Sequence, residues 1–100
     1  MATTSKVLFR GAAATSSTTL YTTPSATTTV LTNILVVNTA ASSATFDLLL
    51  DDVSIANDVV VAANDSITID LKQVLATTKT IKGLASATTV NFHISGVEIA

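Results

Sequence analysis

The only histidine, His93, is the side chain best suited to proton transfer near neutral pH. It lies in an alternating apolar and polar segment, on the polar side with Asn91 and Ser95. A general base needs a reacting group within hydrogen-bond reach, and a metal ligand needs further ligands at a matching spacing. The sequence supplies neither partner near His93, so we expect a histidine of a surface or an interface.

Acidic and amide side chains gather at Asp51-Asp52, at Asp58 and at Asn64-Asp65. Oxygen ligands of this kind are what calcium prefers. Their spacing, however, matches no calcium-binding loop, and Asp and Asn are frequent in hairpin turns. We therefore predict turns at these positions and no dedicated metal site, with a fortuitous metal ion at the Asp51-Asp52 turn as the alternative.

Residue types that attack or bind substrates are present without the arrangement that activates them. Serine and threonine are frequent, yet there is no G-x-S-x-G motif, and the three glycines lie too far apart to form a phosphate-binding loop. Lys79 and Lys82 are spaced to flank an anion, but a solvated strand or loop face is the better interpretation. Tyr21 is a single aromatic and makes no stacking platform for sugars or bases. We predict no catalytic residues, no cofactor and no enzyme activity.

The composition is apolar and weakly charged. Of the 100 residues, 48% are hydrophobic and 12% are charged, and the formal net charge is −2. This is the reverse of a disordered chain, and five basic residues scattered among seven acids give no electrostatic footprint for nucleic acid. There is no cysteine, and no apolar run approaches the roughly 20 residues of a membrane-spanning helix. We expect one folded domain with neither nucleic acid nor membrane as a partner.

Residues 28–38 form the segment around which the rest of the chain must be organised. The segment is rich in β-branched residues and contains no charge, glycine or proline. Its two alternating faces are both apolar, with Val30, Ile34 and Val36 on one and Leu31, Leu35 and Val37 on the other. A strand that is apolar on both faces is covered on both, so we predict a central strand.

Similar strand-like segments recur about every 8 to 12 residues, separated by turn signals, and none shows a convincing helical period. We therefore predict an all-β fold, an antiparallel two-sheet β-sandwich of about eight strands, either Ig-like or jelly-roll-like. Residues 1–5 are expected to be a flexible arm and residues 6–100 a single sandwich domain. A bulge is expected at Ser95-Gly96, because it would return Val97 and Ile99 to the core face.

Alternation also divides the apolar residues into a core set and a surplus set. The predicted core consists of Val30, Ile34, Val36, Phe46, Leu48, Leu50, Ile55, Ile67, Ile69, Ile81, Phe92 and Ile94. A domain of this size buries only about two-thirds of its unfolded surface, so residues of the opposite parity are predicted to lie at subunit contacts. These are Leu31, Leu35, Val37, Leu49 and Val60. The alternative is a second face that is coated by Thr and Ala and simply solvated.

A set of sequence motifs covers nearly the whole chain from Lys6. The motifs include LYTTP at 20–24, TVLTNILVVNT at 29–39, FDLLLD at 46–51, DLKQVL at 70–75 and VNFHISGVEI at 90–99. With these motifs the sequence resembles a group of short virion proteins of tailed bacteriophages, particularly those of cyanophages. The resemblance implies a β-sandwich present in many copies and decorating the capsid. Its motifs are structural rather than chemical, so no catalytic residue is carried over.

From the surplus apolar surface and this resemblance we expect a structural virion protein, in the form of a capsid decoration or cement protein that binds the outer capsid surface and stabilises the shell. Its partners would be the phage major capsid protein or other virion proteins, together with copies of itself in a homo-oligomer. Its location would be the virion, assembled in the host cytoplasm. The alternatives are a tail, neck, baseplate or fibre component, and a module that binds host-surface carbohydrate.

Overall fold

The computed structural model describes residues 2–100, and this part of the chain folds into eight β-strands without a helix. The strands are β1 (Thr3–Ala12), β2 (Thr18–Thr22), β3 (Thr28–Asn38), β4 (Ala44–Leu50), β5 (Val53–Val61), β6 (Ser66–Leu75), β7 (Thr80–Ala85) and β8 (Val90–Ile99). The prediction of an all-β fold with about eight strands is confirmed.

The strands form two four-stranded sheets, the first in the order β1-β8-β3-β6 and the second in the order β2-β7-β4-β5. Every pairing is antiparallel. Eight strands that cross repeatedly between two sheets in this order form a jelly roll, which is one of the two predicted variants of the sandwich. The segment predicted to be central is β3, and it lies between β8 and β6.

The β4–β5 hairpin shows how this chain makes tight turns with few glycines. Asp51 and Asp52 have φ angles of 52° and 60°, and Leu50 lies opposite Val53. Positive φ at both central residues is the mark of a two-residue type I′ turn, which Asp tolerates better than most residues. Asn64 also has a positive φ, of 54°, in the turn before β6. The turns predicted at Asp51-Asp52 and at Asn64-Asp65 are confirmed. The turn predicted at Asp58 is wrong, because Asp58 lies within β5, where it has a φ of 50°.

The core lies between the two sheets. Phe46 of the second sheet meets Phe92 of the first edge to face, with ring centroids 6.0 Å apart. Most of the predicted core is confirmed, since Ile67 and Ile69 pack against it and the remaining members are buried, namely Ile34, Val36, Phe46, Leu48, Leu50, Ile81, Phe92 and Ile94. The two exceptions are Val30 and Ile55.

Ile55 is 40% exposed, so its assignment to the core was wrong. In the β4–β5 pairing, Leu49 lies opposite Ser54 and Leu48 lies opposite Ala56, which leaves Ile55 as an extra residue in the edge strand β5. A bulge interrupts the alternation of inward and outward side chains, so Ile55 does not point towards the core as it would in a regular strand. The pairing of each of the four edge strands, β1, β2, β5 and β6, with its neighbour contains a register shift of this kind.

A bulge in β3 decides which side of this strand faces the core. Leu31 lies opposite Gly96 of β8, and Asn33 lies opposite Ser95, the next residue of β8. Thr32 is therefore the extra residue, and it inverts the alternation at this point of β3.

The inversion explains two errors of the sequence-based prediction. Leu31 is fully buried, as are Ile34 and Val36 beyond the bulge, whereas Val30 points outward and is only partly buried. Placing Val30 in the core and Leu31 on the surface was wrong because a period of two was applied to the whole strand.

The strand β8 is itself regular, so the bulge predicted at Ser95-Gly96 is wrong. The bulges lie instead in the strands on either side, at Leu8 of β1 and at Thr32 of β3. Gly96 lies between them, where a Cβ atom would stand 2.5 Å from the carbonyl oxygen of Val30. This close approach of backbone requires glycine. The apolar residues that follow Gly96 consequently stay on the outer face.

The amino-terminal residues take part in the first sheet. Thr3 lies opposite Ile99 and Ser5 lies opposite Val97, so β1 begins at Thr3, within the stretch predicted to be an arm. Met1, which was included in the predicted arm, lies outside the described residues. The flexibility of residues 1–5 stays a prediction.

Candidate interaction surfaces

The five residues predicted to make subunit contacts do not share one surface. Leu31 is fully buried within its own chain, so the prediction was wrong for this residue. Leu35 and Val37 lie on the outer face of the first sheet, and Leu49 and Val60 lie on the outer face of the second. The two pairs therefore point to opposite sides of the sandwich. Their role as contacts stays a prediction.

The outer face of the first sheet carries a row of three valines on neighbouring strands, which we call the valine row. Val97 of β8 lies opposite Val30 of β3, and Val30 lies opposite Val74 of the edge strand β6. Side chains that lie directly opposite on one face are close enough to touch. Val74 is 68% exposed, so the valine row is open to solvent at the β6 edge, and at the β1 edge the row ends at Ser5, which lies opposite Val97.

The next level of the same face, meaning the next set of side chains that lie opposite one another across the strands, is polar on β8, β3 and β6. Ser95 of β8 lies opposite Asn33 of β3, and Asn33 lies opposite Asp70 of β6. Lys72 follows on β6 between Asp70 and the valine row, and both of these charged residues are exposed. The fourth strand, β1, contributes Val7 to this level, opposite Ser95, so the level is polar on three strands and apolar at the β1 edge.

His93 lies one level further along this face. Arg10 of the edge strand β1 lies opposite His93, and His93 lies opposite Leu35 of β3. The imidazole is half-buried among these neighbours. No carboxylate lies opposite it on either adjoining strand, so the structure brings His93 to a surface rather than to an acid–base pair.

The outer face of the second sheet mixes apolar and charged residues within each level. Leu49 of β4 lies opposite Lys82 of β7, and Asp47 lies opposite Leu84. Val60, on the edge strand β5, is 60% exposed. This face has no continuous apolar row.

The Asp51-Asp52 turn is paired with the two lysines that sequence spacing suggested as an anion clamp. Asp51 Oδ1 is 3.6 Å from Lys79 Nζ, and Asp52 Oδ1 is 2.7 Å from Lys82 Nζ. The carboxylates of the turn thus have lysine partners, and ion pairs this exposed contribute little stability. Within residues 2–100, no three His, Asp or Glu side chains come close enough to share a metal ion.

One end of the sandwich is held by a polar cluster whose members lie far apart in the sequence. The hydroxyl of Tyr21 donates a hydrogen bond to Glu98 Oε2 at 2.5 Å and lies 2.8 Å from Thr29 Oγ1. Lys6 Nζ is 3.4 Å from the Glu98 carboxylate oxygens. Tyr21 belongs to the second sheet and the other three residues to the first, so the cluster ties the two sheets together.

The environment of this cluster fixes its protonation. Burial raises the pKa of Tyr21 from 10.0 to about 12, and the hydrogen bond to Glu98 acts in the same direction. The hydrogen bond from Tyr21, assisted by Lys6, holds the pKa of Glu98 below its ordinary value against the opposing effect of burial. At neutral pH the phenol is therefore a fixed donor and the carboxylate a fixed acceptor, which is a structural arrangement rather than a nucleophile beside a base.

A sequence signal for the cluster does exist at Glu98. This glutamate has the same parity in β8 as Phe92 and Ile94, which are fully buried. A charged residue on the core-facing side of a strand must have a partner, because an unpaired charge there would be costly. The signal predicts a partner without identifying Tyr21.

The opposite end of the sandwich is organised by a neutral side chain. Asn38, at the end of β3, is fully buried, and its Nδ2 donates to the carbonyl oxygens of Ser42 at 2.9 Å and Val61 at 3.3 Å. Its Oδ1 accepts from the backbone N–H of Ala40 at 3.1 Å and from the Thr89 hydroxyl at 3.3 Å. A shallow, open depression beside Asn38 is lined by amide, hydroxyl and carboxylate groups together with one valine.

Known proteins resemble this chain in fold. No protein-family model and no curated protein matches the sequence. Among solved structures, a chain of infectious bursal disease virus, Gx strain, is similar with a TM-score of 0.59 and 13% identity, and the match covers 97% of this chain and 30% of the viral one. A chain of the T13 particle of the same virus gives a TM-score of 0.59 and 8% identity, with coverage of 97% and 30%.

A pentameric capsid protein isolated from metagenomic phage sequences gives a TM-score of 0.41 and 18% identity, over 94% of this chain and 59% of that one. The present chain spans 30% of the length of the two viral chains that it matches at a TM-score of 0.59. At such low identities the likeness concerns the fold. Within residues 2–100 there is no helix that could cross a membrane.

Proposed function

We propose that the chain is a structural virion protein of a tailed bacteriophage, acting as a decoration or cement protein on the outer surface of an assembled capsid. The observation that carries this proposal is the presence of apolar side chains on both outer faces of the sandwich. They include Leu35 and Val37 on one side and Leu49 and Val60 on the other. A small domain with apolar residues on opposite sides is suited to contact two neighbours at once.

The fold likeness supports the same class of protein. The chains that match at a TM-score of 0.59 come from structures of a virus, one of them of its T13 particle. Jelly rolls also occur in lectins and cupins, so the fold supports the proposal less strongly than the two apolar faces do. The resemblance of the sequence to short virion proteins of tailed phages favours a phage rather than another virus.

A mechanism for stabilising the shell follows from mass action. A domain that binds neighbouring subunits of the assembled lattice, and does not bind the free subunits, shifts the equilibrium towards the lattice. Only 12% of the residues are charged, which suits a lasting contact because charged residues are depleted at the centres of interfaces. We propose no catalytic role, and turnover that depends on His93 would contradict this part of the proposal.

The proposal is tested by binding of variants to particles. Leu35→Asp and Leu49→Asp each place a charge on one outer face while leaving the core intact, and we expect each variant to bind particles of the encoding phage far more weakly than the wild type. Ser17→Asp, in the exposed loop between β1 and β2, is the matched control and should bind normally. Full occupancy by both leucine variants, with unfolding midpoints equal to the control, would refute the assignment of these faces.

Copy number separates the proposed decoration role from the alternative locations. A decoration protein covers the lattice and should be present in hundreds of copies per particle. A tail, neck, baseplate or fibre component should be present in a few to dozens. Quantitative mass spectrometry of purified particles measures this ratio against the major capsid protein, and a count in the lower range would place the chain on the tail instead.

A further inference from the structure

We infer that Arg10 and His93, on the outer face of the first sheet, form a binding site for a carboxylate group of a neighbouring protein in the virion. The inference rests on the proposed function and deepens it, because it names the chemistry that a neighbour must present to one of the two apolar faces. It follows from the charge and the free hydrogen-bond donors of these two side chains.

Arg10 is a basic residue whose charge nothing nearby compensates. Three of the five basic residues form ion pairs, and within residues 2–100 the two without an acidic partner are Arg10 and Lys72. Lys72 lies two residues from Asp70 on the same face of β6, which places the two side chains about 6.7 Å apart. From Arg10, by contrast, Asp70 is three strands away, at about 14 Å or more.

His93 places further donors beside Arg10. The two residues lie directly opposite each other in the β1–β8 pairing, so their Cβ atoms are about 5 Å apart. The guanidinium carries five N–H donors in a planar fork, and an imidazole has at least one N–H donor whether it is neutral or charged. Asn91, two residues from His93 on the same face of β8, adds an amide donor.

These donors have no acceptor in the single chain. The side chains of Arg10, His93 and Asn91 take part in none of the hydrogen bonds between the described residues. Arg10 is exposed and His93 is half-buried, so both can be reached from outside. The group that satisfies them must be a negatively charged acceptor.

The surroundings favour a carboxylate on a protein over a phosphate of nucleic acid. The fork of an arginine matches a carboxylate through two parallel hydrogen bonds. Leu35 lies on the other side of His93, and Val37 follows Leu35 on the same face, so the donors border apolar side chains. Nucleic acid is bound by several bases that neutralise successive phosphates, and the formal net charge of −2 opposes a polyanion. An apolar protein surface that carries an Asp or Glu side chain fits better.

The outer face of the second sheet presents the opposite chemistry. Its Lys82 is already paired with Asp52. Asp47 of β4 accepts a hydrogen bond from the backbone N–H of Asp58 at 2.8 Å and has no lysine or arginine partner within residues 2–100. A neighbour that carries a carboxylate is therefore directed to the first sheet, because complementary charge sets the orientation of a contact.

Chemical modification tests the inference on the native particle. Arg10 is the only arginine of the chain and His93 the only histidine, so phenylglyoxal and diethyl pyrocarbonate each report on one residue. Mass spectrometry measures both reactions. We expect each to be about tenfold or more slower in purified particles of the encoding phage than in the purified chain, because groups at the centre of an interface are withdrawn from water. This measurement does not depend on which part of the particle holds the chain.

Binding of variants to particles tests the role of the fork. Arg10→Gln should raise the dissociation constant about tenfold or more, because the carboxylate of the neighbour is left without its partner. Arg10→Lys should weaken binding nearly as much, because an ammonium group keeps the charge but not the fork. Lys72→Gln is the matched control, since it removes the same charge from the same face, and it should stay within about twofold of the wild type. Circular dichroism checks that each variant is folded.

Several results would overturn the inference. Equal weakening by Arg10→Gln and Lys72→Gln would indicate a general attraction between charges, and normal binding by Arg10→Lys would show that the fork is not used. Equal modification rates of Arg10 in particles and in the free chain would leave it outside any contact. Binding of double-stranded DNA that Arg10→Gln abolishes would assign the pair to phosphate. Absence of the chain from purified particles is a different failure, because it would refute the proposed function and the inference with it.

Discussion

The two sheets of the sandwich differ in where their irregularities lie. In the first sheet, the central strand β3 has a bulge at Thr32, and the apolar residues of that strand reach both of its faces. In the second sheet, the central strands β4 and β7 pair without any shift, and the irregularities lie where the edge strands β2 and β5 join them. The comparison teaches that simple alternation is a sound guide to burial only between bulges. The predictions below test the consequences of this difference.

The largest effect is expected where the bulge of the first sheet exchanges two neighbouring residues. Leu31→Ala should lower the free energy of unfolding by about 2–5 kcal/mol, because the side chain is fully buried and its removal leaves a cavity. Val30→Ala should cost less than about 1 kcal/mol, because Val30 lies on the outer face. Urea unfolding of the two variants measures the difference. Equal losses would mean that the bulge does not separate these residues.

The next effect compares one glycine from each sheet. An added Cβ at Gly96 would meet the backbone oxygen of Val30 at 2.5 Å, whereas at Gly83 its nearest contacts are the side-chain tips of Leu20 and Leu48, both at 3.0 Å. Side-chain tips can move aside and paired backbone cannot. Gly96→Ala should therefore destabilise by about 3 kcal/mol and Gly83→Ala by about 1 kcal/mol. A larger loss at Gly83 in thermal unfolding would contradict this order.

A smaller effect is expected at the link between the sheets. Tyr21→Phe removes the hydroxyl that joins the second sheet to Glu98 and Thr29 of the first, and it should cost about 1 kcal/mol at neutral pH. Denaturant unfolding at pH 7 measures the loss. No loss at all would show that the polar cluster does not hold the sheets together.

The same variant changes the pH dependence of stability. The folded pKa of Tyr21 is raised, so its contribution is fully present below the unfolded pKa of 10.0 and is lost as pH rises through about 12. The folded pKa of Glu98 is lowered, so its contribution is present above the unfolded pKa of 4.5 and is lost as pH falls through the lowered folded value. Because Tyr21 is the only tyrosine, Tyr21→Phe should reduce the fall in the free energy of unfolding at alkaline pH. It should also reduce the fall at acid pH, because Glu98 loses its hydrogen-bond donor. An unchanged loss of stability at alkaline pH would mean that other groups cause it.

The smallest effect is expected at the hairpin turn of the second sheet. Lys82→Ala removes the exposed ion pair with Asp52 and should cost less than about 1 kcal/mol, decreasing further at high salt. Thermal unfolding at two salt concentrations measures this change. A loss comparable to that of Leu31→Ala would mean that the turn, rather than the core, provides most of the stability of the second sheet.

Local chemistry made much of the fold predictable. The Asp51-Asp52 turn and the alternation of β4 follow from short-range rules, because the neighbours that decide them lie within a few residues. The apolar run of β3 identified a central strand for the same reason. These rules also led to the jelly-roll and Ig-like alternatives, since both have about eight short antiparallel strands.

The missed features depend on residues that are distant in the sequence. The bulge at Thr32 is defined by its pairing with β8, and nothing in β3 itself distinguishes Leu31 from Val30. Glu98 and its partner Tyr21 are 77 residues apart and lie on different sheets, so no local spacing joins them. Of the candidate contact residues, Leu31 was misplaced by the bulge, and the separation of the others onto two faces depended on the strand order.

The register shift at each edge strand has a consequence for how such chains behave when crowded together. A straight, unpaired strand edge is a template onto which another chain can add by backbone hydrogen bonding, which is the first step towards amyloid-like fibrils. Here all four edges are interrupted, so a growing ribbon would lose its register within a few residues of each junction. The irregular edges therefore disfavour strand-by-strand aggregation at high concentration, and they leave the sheet faces as the surfaces for ordered association.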